Sequence, residues 1–306
     1  MGKKSGFSPI IKLWDGTSVH QSLDTSLMND VASKLCDLGL ASIYRGTWSY
    51  EKLVNGKQAF VTHTRRLGGM NPYSVSQRDA EKWMINITKG LAPKNACMKV
   101  AAHGHTIRGT IDDEPFKIIN SPCWATFQEY DKALGNFEHY QTDIGAFFIF
   151  VTNEGRIRLQ SWLYQPFTYN HHLNEIYEGE NSNKKFVELT DKPIIESYLK
   201  TLASNSKQII AVTADYHCGH TSAIAPPQYN YNGVTWEIKQ SKANARIYSY
   251  WQHFIKTCKL LGVTDFWVIG DACDGRNVFA DKTHRTLTQN LDEQKALFIE
   301  LFKDFL

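Results

Sequence analysis

The sequence lacks the features of several protein classes. No Cys-x-x-Cys pair occurs among its six cysteines, which argues against a thiolate zinc site or a disulfide framework and favours reduced thiols. No apolar run approaches membrane-spanning length, and residues 1–5 have no apolar stretch typical of a secretory signal. The formal net charge is only +3, so charge alone does not predict nucleic-acid binding. We therefore expect a cytoplasmic protein without membrane contact.

The composition is that of an ordinary globular protein. The 306 residues are 42% apolar and 21% charged, which suits one large domain or two small ones. The residues from about 170 to 205 are polar, and a part of this segment around Gly179 is typical of a linker. No internal repeat is present.

A β-branched run that begins at Gln208 ends at Asp215, Tyr216 and His217. The run predicts a buried parallel strand with ligand-type side chains at its carboxyl end, where open α/β sheets have their sites. On an extended backbone, Asp215 and His217 would point to the same side. A carboxylate and an imidazole together suit zinc, manganese or iron, so the segment is a candidate metal-binding element.

A second apolar strand begins at Asp265 and ends at Gly270 and Asp271, and Asp274 follows. Gly270 permits a tight turn beside a ligand, and Asp271 is placed to bridge two metals. Apolar residues at helical spacing over 241–261 predict a helix between the two strands. The strands are then parallel, with their acidic ends at one edge of the sheet.

Three earlier apolar segments also end in Asp or His residues. The strand over 8–14 is followed by Asp15, the strand over 58–62 by His63, and the strand over 98–102 by His103 and His105. One metal site explains all these strand ends together. The other predicted elements are helices over 24–38, 76–90, 193–204 and 287–305, a hairpin over 43–60 that turns at Asn55-Gly56, and a strand pair over 140–163 that turns at 153–155.

These residues resemble the motifs of the calcineurin-like metallophosphoesterases. The family motifs are, in chain order, Asp-x-His, Gly-Asp-x-x-Asp-Gly, Gly-Asn-His-Asp/Glu, a lone His and His-x-His. The segments 215–217 and 270–275 are similar to the first two, residues 16–20 to the third, His63 to the fourth and 103–105 to the fifth. Along this chain the family motifs therefore occur in the order three, four, five, one, two. A natural or engineered circular permutation would produce this order. Residues 120–124 and 223–227 are similar to phage-encoded members, which implies a host cytoplasm for a phage protein.

The resemblance implies an α/β fold. Its expected form is a four-layer α/β/β/α sandwich of two mixed sheets flanked by helices, circularly permuted within a single domain over 1–306. Residues 1–170 would correspond to the C-terminal half of the family, and 207–306 to its N-terminal half. Residues 171–206 would form a polar linker and a helix.

The resemblance also implies a role for each site residue. Two divalent ions (Mn²⁺, Zn²⁺ or Fe) would be bound, with Asp271 as the bridging ligand. Thr17 stands at the place of the family's Asn, which makes it a weak ligand, and Ser18 stands at the place of the family's His, which leaves His20 as the candidate acid. The remaining assignments are Asp215, His217 and His105 for one metal, His63 and His103 for the other, Asp274 for orienting a catalytic His, and Arg65 and Arg108 for binding phosphate.

The function implied is metal-dependent hydrolysis of a phosphodiester, in a nucleotide or a nucleic acid, by a metal-bridged hydroxide. A phosphomonoesterase of the same fold is one alternative. The altered third motif leaves open a catalytically inactive relative that acts as a metal-stabilised binding protein. A protein that binds no metal, in which the histidines are coincidental, is a further alternative.

Overall fold

Two mixed β-sheets and the helices beside them form the described part of the chain. The computed structural model describes residues 7–16, 27–63, 72–102, 108–109, 116–125, 143–164, 192–275 and 287–306. Within them the chain is α/β, as the sequence predicts. In chain order the elements are β1 (Ile10–Trp14), α1 (Leu27–Asp37), β2 (Ser42–Tyr44), β3 (Trp48–Lys52), β4 (Gln58–Thr62), α2 (Pro72–Thr88), β5 (Ala96–Ala101), β6 (Arg108–Gly109), β7 (Lys117–Asn120), β8 (Ile144–Thr152), β9 (Ile157–Tyr164), α3 (Lys192–Ser204), β10 (Ser206–Ala214), β11 (Gln228–Tyr231), β12 (Val234–Glu237), α4 (Lys242–Leu261), β13 (Asp265–Ile269), α5 (Leu291–Phe302) and a 3₁₀ turn (Lys303–Phe305).

The first sheet has the strand order β2-β1-β13-β10-β8-β9. Its first four strands are parallel, whereas β8 runs antiparallel to β10, and β9 to β8. The register places Trp14, Ile269 and Ala214 side by side at the carboxyl ends of β1, β13 and β10. The residues that follow these strands therefore meet at one edge of the sheet.

The second sheet has the order β3-β4-β5-β7-β6. Strands β4, β5 and β7 are parallel, and β3 and β6 are antiparallel edge strands. Strand β4 ends at Thr62, so His63 is the first residue beyond its carboxyl end. A separate two-stranded hairpin is formed by β11 and β12.

Buried apolar side chains connect the two sheets with each other and with the helices. One cluster contains residues of both sheets, among them Trp14 and Val212 from the first and Val61 and Val100 from the second. A larger cluster joins the first sheet to residues of α1, α4 and α5. A small third cluster joins Ala80 of α2 to the second sheet. Since burial of apolar area is the main favourable term in folding, these clusters fix the sheets relative to the helices.

Polar side chains form a further link between the sheets. Lys12 Nζ of β1 lies 3.0 Å from Glu51 Oε2 of β3 and 3.1 Å from Asp265 Oδ1 of β13. Trp14 Nε1 donates to Ser49 Oγ at 2.9 Å. Buried charges require such partners, and these bonds specify how β3 sits on the first sheet.

Helix α4 begins and ends where its sequence predicts. The Ser241 hydroxyl accepts from Asn244 N, and the Asn244 side chain accepts from Ser241 N, which forms a capping box. At the other end, Gly262 adopts the left-handed conformation with φ 68°, and its N–H donates to the carbonyls of Cys258 and Lys259. The helix thus makes the crossover between β10 and β13 that produces their parallel pairing.

Some predicted boundaries are wrong. Residues 42–44 do not belong to the hairpin predicted over 43–60, because β2 pairs with β1 in the first sheet; the hairpin is β3–β4, and Gly56 at its turn has φ 80°. Helix α2 begins at Pro72, four residues before its predicted start, and α5 begins at Leu291 rather than 287. The hairpin β11–β12 was not predicted. A three-residue strand such as β2 carries too short a pattern to specify its partner.

Within the described ranges, none of the helices combines the length and the apolar character that crossing a bilayer requires.

Candidate metal centre

Side chains from the two sheets meet beyond the carboxyl ends of β4, β10 and β13. His63 Nε2 lies 2.8 Å from Asp215 Oδ1 and 3.6 Å from Asp271 Oδ2. Ligand atoms of these three residues all lie within 4.8 Å of one another. His63 follows a strand of the second sheet, whereas Asp215 and Asp271 follow neighbouring strands of the first. One imidazole and two carboxylates thus converge between the sheets.

The cluster is shielded from water. Asp215 and Asp271 have 0% exposed surface, and the His63 side chain has 1%. Carboxylates are rarely buried unless they are paired or bind a cation. Their complete burial beside a histidine therefore distinguishes this cluster from the exposed acidic groups of a protein surface.

The backbone after β10 is not extended. Asp215 has φ 49° and His217 has φ 47°, so the extended backbone that the sequence prediction assumed for these two residues is wrong. Non-glycine residues in this region cost about 1–3 kcal/mol each, and such strain is common at functional sites. Hydrogen bonds hold the turn, because the N–H groups of Tyr216 and His217 both donate to the Asp271 carbonyl, at 2.8 and 2.9 Å.

Two glycines make room for the cluster. A Cβ atom at Gly270 would lie 1.8 Å from His63 Cδ2, and one at Gly16 would lie 1.9 Å from Asp271 Oδ1. Gly270 also has φ 85°, a conformation that side chains disfavour. His63 can approach the end of β13 only because position 270 has no side chain.

Nearby carboxylates raise the pKa values of two histidines, His63 and His217. Burial alone would lower the pKa of His63, but the charges of Asp271 and Asp215 outweigh burial and raise it. The pKa of His217 is also raised, since interactions with Asp274 and the charge of Asp271 outweigh the burial that would lower it. His217 Nδ1 lies 3.6 Å from Asp274 Oδ1. The pocket therefore favours positive charge.

The donor set fits a divalent cation. Imidazole and carboxylate donors without thiolate suit zinc, manganese or iron. Two cysteines lie beside these residues, Cys218 and Cys273, whose backbones pair in a short β-bridge and whose thiols form no disulfide. Burial raises the pKa of both thiols, and small buried cysteines of this kind commonly act as apolar packing side chains.

The structure brings together three of the predicted ligands, His63, Asp215 and Asp271. Two more site residues, His217 and Asp274, face each other next to this cluster. Arg108 begins β6, and its side chain is not among the described ones. The predicted residues outside the described ranges are Thr17, His20, Arg65, His103 and His105.

Two polar contacts near the site are not predicted by the sequence patterns. Tyr44 OH donates to Asp15 Oδ2 at 2.6 Å, and burial together with this bond raises the pKa of Tyr44 to about 12. Gln294 is fully buried and hydrogen-bonded to Gly275. Its signal in the sequence is a glutamine in the apolar stripe of α5, one turn before Leu297 and Phe298.

No family model, curated protein or solved structure matches the chain. The resemblance of its motifs to the metallophosphoesterases therefore stays a prediction.

Proposed function

We propose that the protein is a metal-dependent phosphoesterase that hydrolyses a phosphodiester of a nucleotide or a nucleic acid. The observation that carries this proposal is the meeting of His63 with Asp215 and Asp271 between the two sheets, with ligand atoms within 4.8 Å of one another. A buried anionic pocket at the carboxyl edge of a parallel sheet is a common position for an α/β active site.

His63, Asp215 and Asp271 would hold a divalent cation, which would supply positive charge against the phosphoryl oxygens. Asp274 favours a proton on Nδ1 of His217, which leaves Nε2 as the atom that could bind a cation. The proposal also includes a second cation. The other residues of the proposed site are the metal ligands His103, His105 and Thr17, the acid His20, and the phosphate-binding side chains Arg65 and Arg108.

The proposed architecture is a four-layer α/β/β/α sandwich with its motifs in circularly permuted order. The apolar cluster shared by the two sheets supports the stacking of sheet on sheet. The clusters that join α1, α4 and α5 to the first sheet and α2 to the second support the outer helical layers. The ring centroids of Phe7 and Phe305 lie 5.6 Å apart, so the two ends of the described chain are close enough for a permutation to connect them.

The test compares hydrolysis of bis-(p-nitrophenyl) phosphate and p-nitrophenyl phosphate, with Mn²⁺ added. Asp271→Asn is expected to lower turnover by about 100-fold or more, because it removes a charged ligand while keeping the side-chain size. Asp265→Asn is the matched control, since Asp265 is a buried aspartate at the opposite end of the same strand. Wild-type turnover in Asp271→Asn would contradict the proposal. Faster hydrolysis of the monoester than of the diester would instead favour a phosphomonoesterase.

An inactive relative that binds a metal for stability is the second candidate, because Thr17 and Ser18 stand where the family has Asn and His. It predicts that Mn²⁺ raises the melting temperature without turnover of either ester. Thermal unfolding with and without Mn²⁺, run beside the hydrolysis assay, distinguishes the two candidates.

A further inference from the structure

Helix α5 places one fully buried amide against the loop that follows β13. Gln294 has 0% exposed surface. Its Oε1 accepts from Gly275 N at 2.8 Å, and its Nε2 donates to the carbonyls of Gly275 and Thr288, at 3.1 and 2.9 Å. The side chain therefore binds both polar groups of a single residue, Gly275, as a neighbouring strand would.

The same side chain also packs against the loop that follows β10. A Cβ atom at Gly219 would lie 2.6 Å from Gln294 Cγ and 2.7 Å from Cδ. In addition, Leu287 N donates to the Gly219 carbonyl at 2.6 Å. Gln294 of α5 and the residues just before the helix thus hold both loops that carry the candidate site.

Packing alone does not account for a glutamine at this position. The other buried positions of α5 are apolar, namely Leu297, Phe298, Leu301 and Phe302. Burial of an amide is unfavourable unless its hydrogen bonds are made, and here both donors and one acceptor are used. An apolar side chain would remove these partners from Gly275 and Thr288. The geometry of the loop requires the amide.

Gly275 directly follows Asp274, so Gln294 fixes the peptide that joins them. The Asp274 N–H donates to the Cys218 carbonyl at 3.0 Å, and its carboxylate lies 3.6 Å from His217 Nδ1. We propose that Gln294 is a positioning residue, which holds the Asp274 loop so that Asp274 orients His217. The importance of Gln294 for catalysis rests on the proposed function. The positioning of the Asp274 loop by Gln294 is independent of that function.

Two substitutions separate this role from general stability. Gln294→Leu keeps much of the volume and removes the amide. Gln294→Glu keeps an acceptor for Gly275 N but removes the donors to the Gly275 and Thr288 carbonyls. Leu301→Ala is the control. Leu301 is buried in the same helix, so its truncation is expected to destabilise α5 without removing a hydrogen bond to Gly275.

The first measurement is amide hydrogen exchange in the metal-free proteins. Both Gln294 variants are expected to exchange residues 216–220 and 271–275 about tenfold faster than the wild type, in excess of any change in strands β10 and β13. Leu301→Ala is expected to accelerate exchange in the loops and the strands alike. If the Gln294 variants show the pattern of Leu301→Ala, the positioning role is wrong.

The second measurement is a Co²⁺ titration followed by visible absorption. Loss of the Gln294 amide is expected to weaken Co²⁺ binding about tenfold and to change the absorption bands. Removal of groups that orient the metal ligands commonly has this effect. Leu301→Ala should keep the wild-type bands, and wild-type bands in Gln294→Leu would contradict the proposal. A wild type that binds Co²⁺ but hydrolyses neither ester contradicts the proposed function alone. If the wild type binds no Co²⁺, hydrogen exchange alone decides the role of Gln294.

Discussion

At the scale of single residues, the site depends on a glycine that touches a histidine from the other sheet. His63 lies against Gly270 so closely that a Cβ atom there would be 1.8 Å from its ring. The contact brings His63 within 2.8 Å of Asp215. The absence of a side chain at position 270 therefore allows His63 of one sheet to approach the strand end of the other.

Gly270→Ala is expected to displace His63 and to weaken Mn²⁺ binding. The left-handed conformation with φ 85° costs an alanine about 1–2 kcal/mol, and the clash adds about 1–3 kcal/mol to the loss of unfolding free energy. Gly262→Ala is the matched control, because Gly262 has φ 68° with nothing within 4 Å of a Cβ atom. Chemical denaturation and Mn²⁺ titration measure both effects. Equal losses in the two variants would show that the contact with His63 is unimportant.

Local patterns in the sequence predict which residues follow the strands, whereas the meeting of these residues was predicted from the shared site chemistry and the family resemblance. Asp215 and Asp271 are predictable because each ends an apolar run, and the helix between them specifies parallel strands. The contact of His63 with Asp215 spans 152 positions, and no local pattern specifies a partner at that distance. The left-handed turns at Asp215 and His217 are equally unpredictable, since non-glycine residues rarely adopt this conformation, even though Asp and His adopt it more often than most.

At the scale of elements, the start of α4 holds the loop that follows β10. The Ser241 hydroxyl donates to the Thr221 carbonyl at 3.2 Å, and Asn244 Nδ2 donates to the Ala223 carbonyl. The capping box therefore stabilises both the helix and the segment between His217 and the β11–β12 hairpin. This cap was predictable from a serine before an apolar-periodic segment.

Ser241→Ala is expected to lower the unfolding free energy by about 1 kcal/mol, because the first turn of α4 loses its cap. Ser249→Ala, on the same helix, is the control. The Ser249 hydroxyl is exposed and donates to the Arg246 carbonyl, so its loss should be neutral or slightly stabilising by about 0.5 kcal/mol. Urea unfolding compares the two variants. A loss at Ser249 as large as that at Ser241 would contradict the role of the cap.

At the scale of the whole molecule, the order of the strands differs from their order in the chain. The first sheet joins β1 near one end of the chain to β13 near the other. Local patterns predict that these strands exist, but the sheet to which each belongs depends on contacts across the molecule. For this reason the sequence pattern places β2 in the wrong hairpin, whereas it predicts correctly the β10–β13 pair, whose strands are linked through one helix.

The proposed permutation predicts that the chain tolerates new ends. A rearranged chain that opens between residues 180 and 181 and joins residue 306 to residue 1 through a short Gly/Ser linker should fold. Its melting temperature should stay within about 5 °C of the original, since the cut falls in a segment predicted to be a polar linker. The control has the same join but opens between Ile210 and Ala211, inside the buried strand β10, and should not fold. If both chains unfold alike, the ends cannot be moved as proposed.

The pairing of β1 with β13 also has a consequence for synthesis on the ribosome. Ile10 pairs with Asp265, so β1 leaves the exit tunnel long before its central partner is translated. At elongation rates of about 5–20 residues per second, the interval is on the order of 10 to 50 seconds. The apolar strand β1 can pair only with the short β2 during this time, and it offers its other edge to wrong partners. The nascent chain should therefore depend on chaperones that hold its first strands until β13 has emerged.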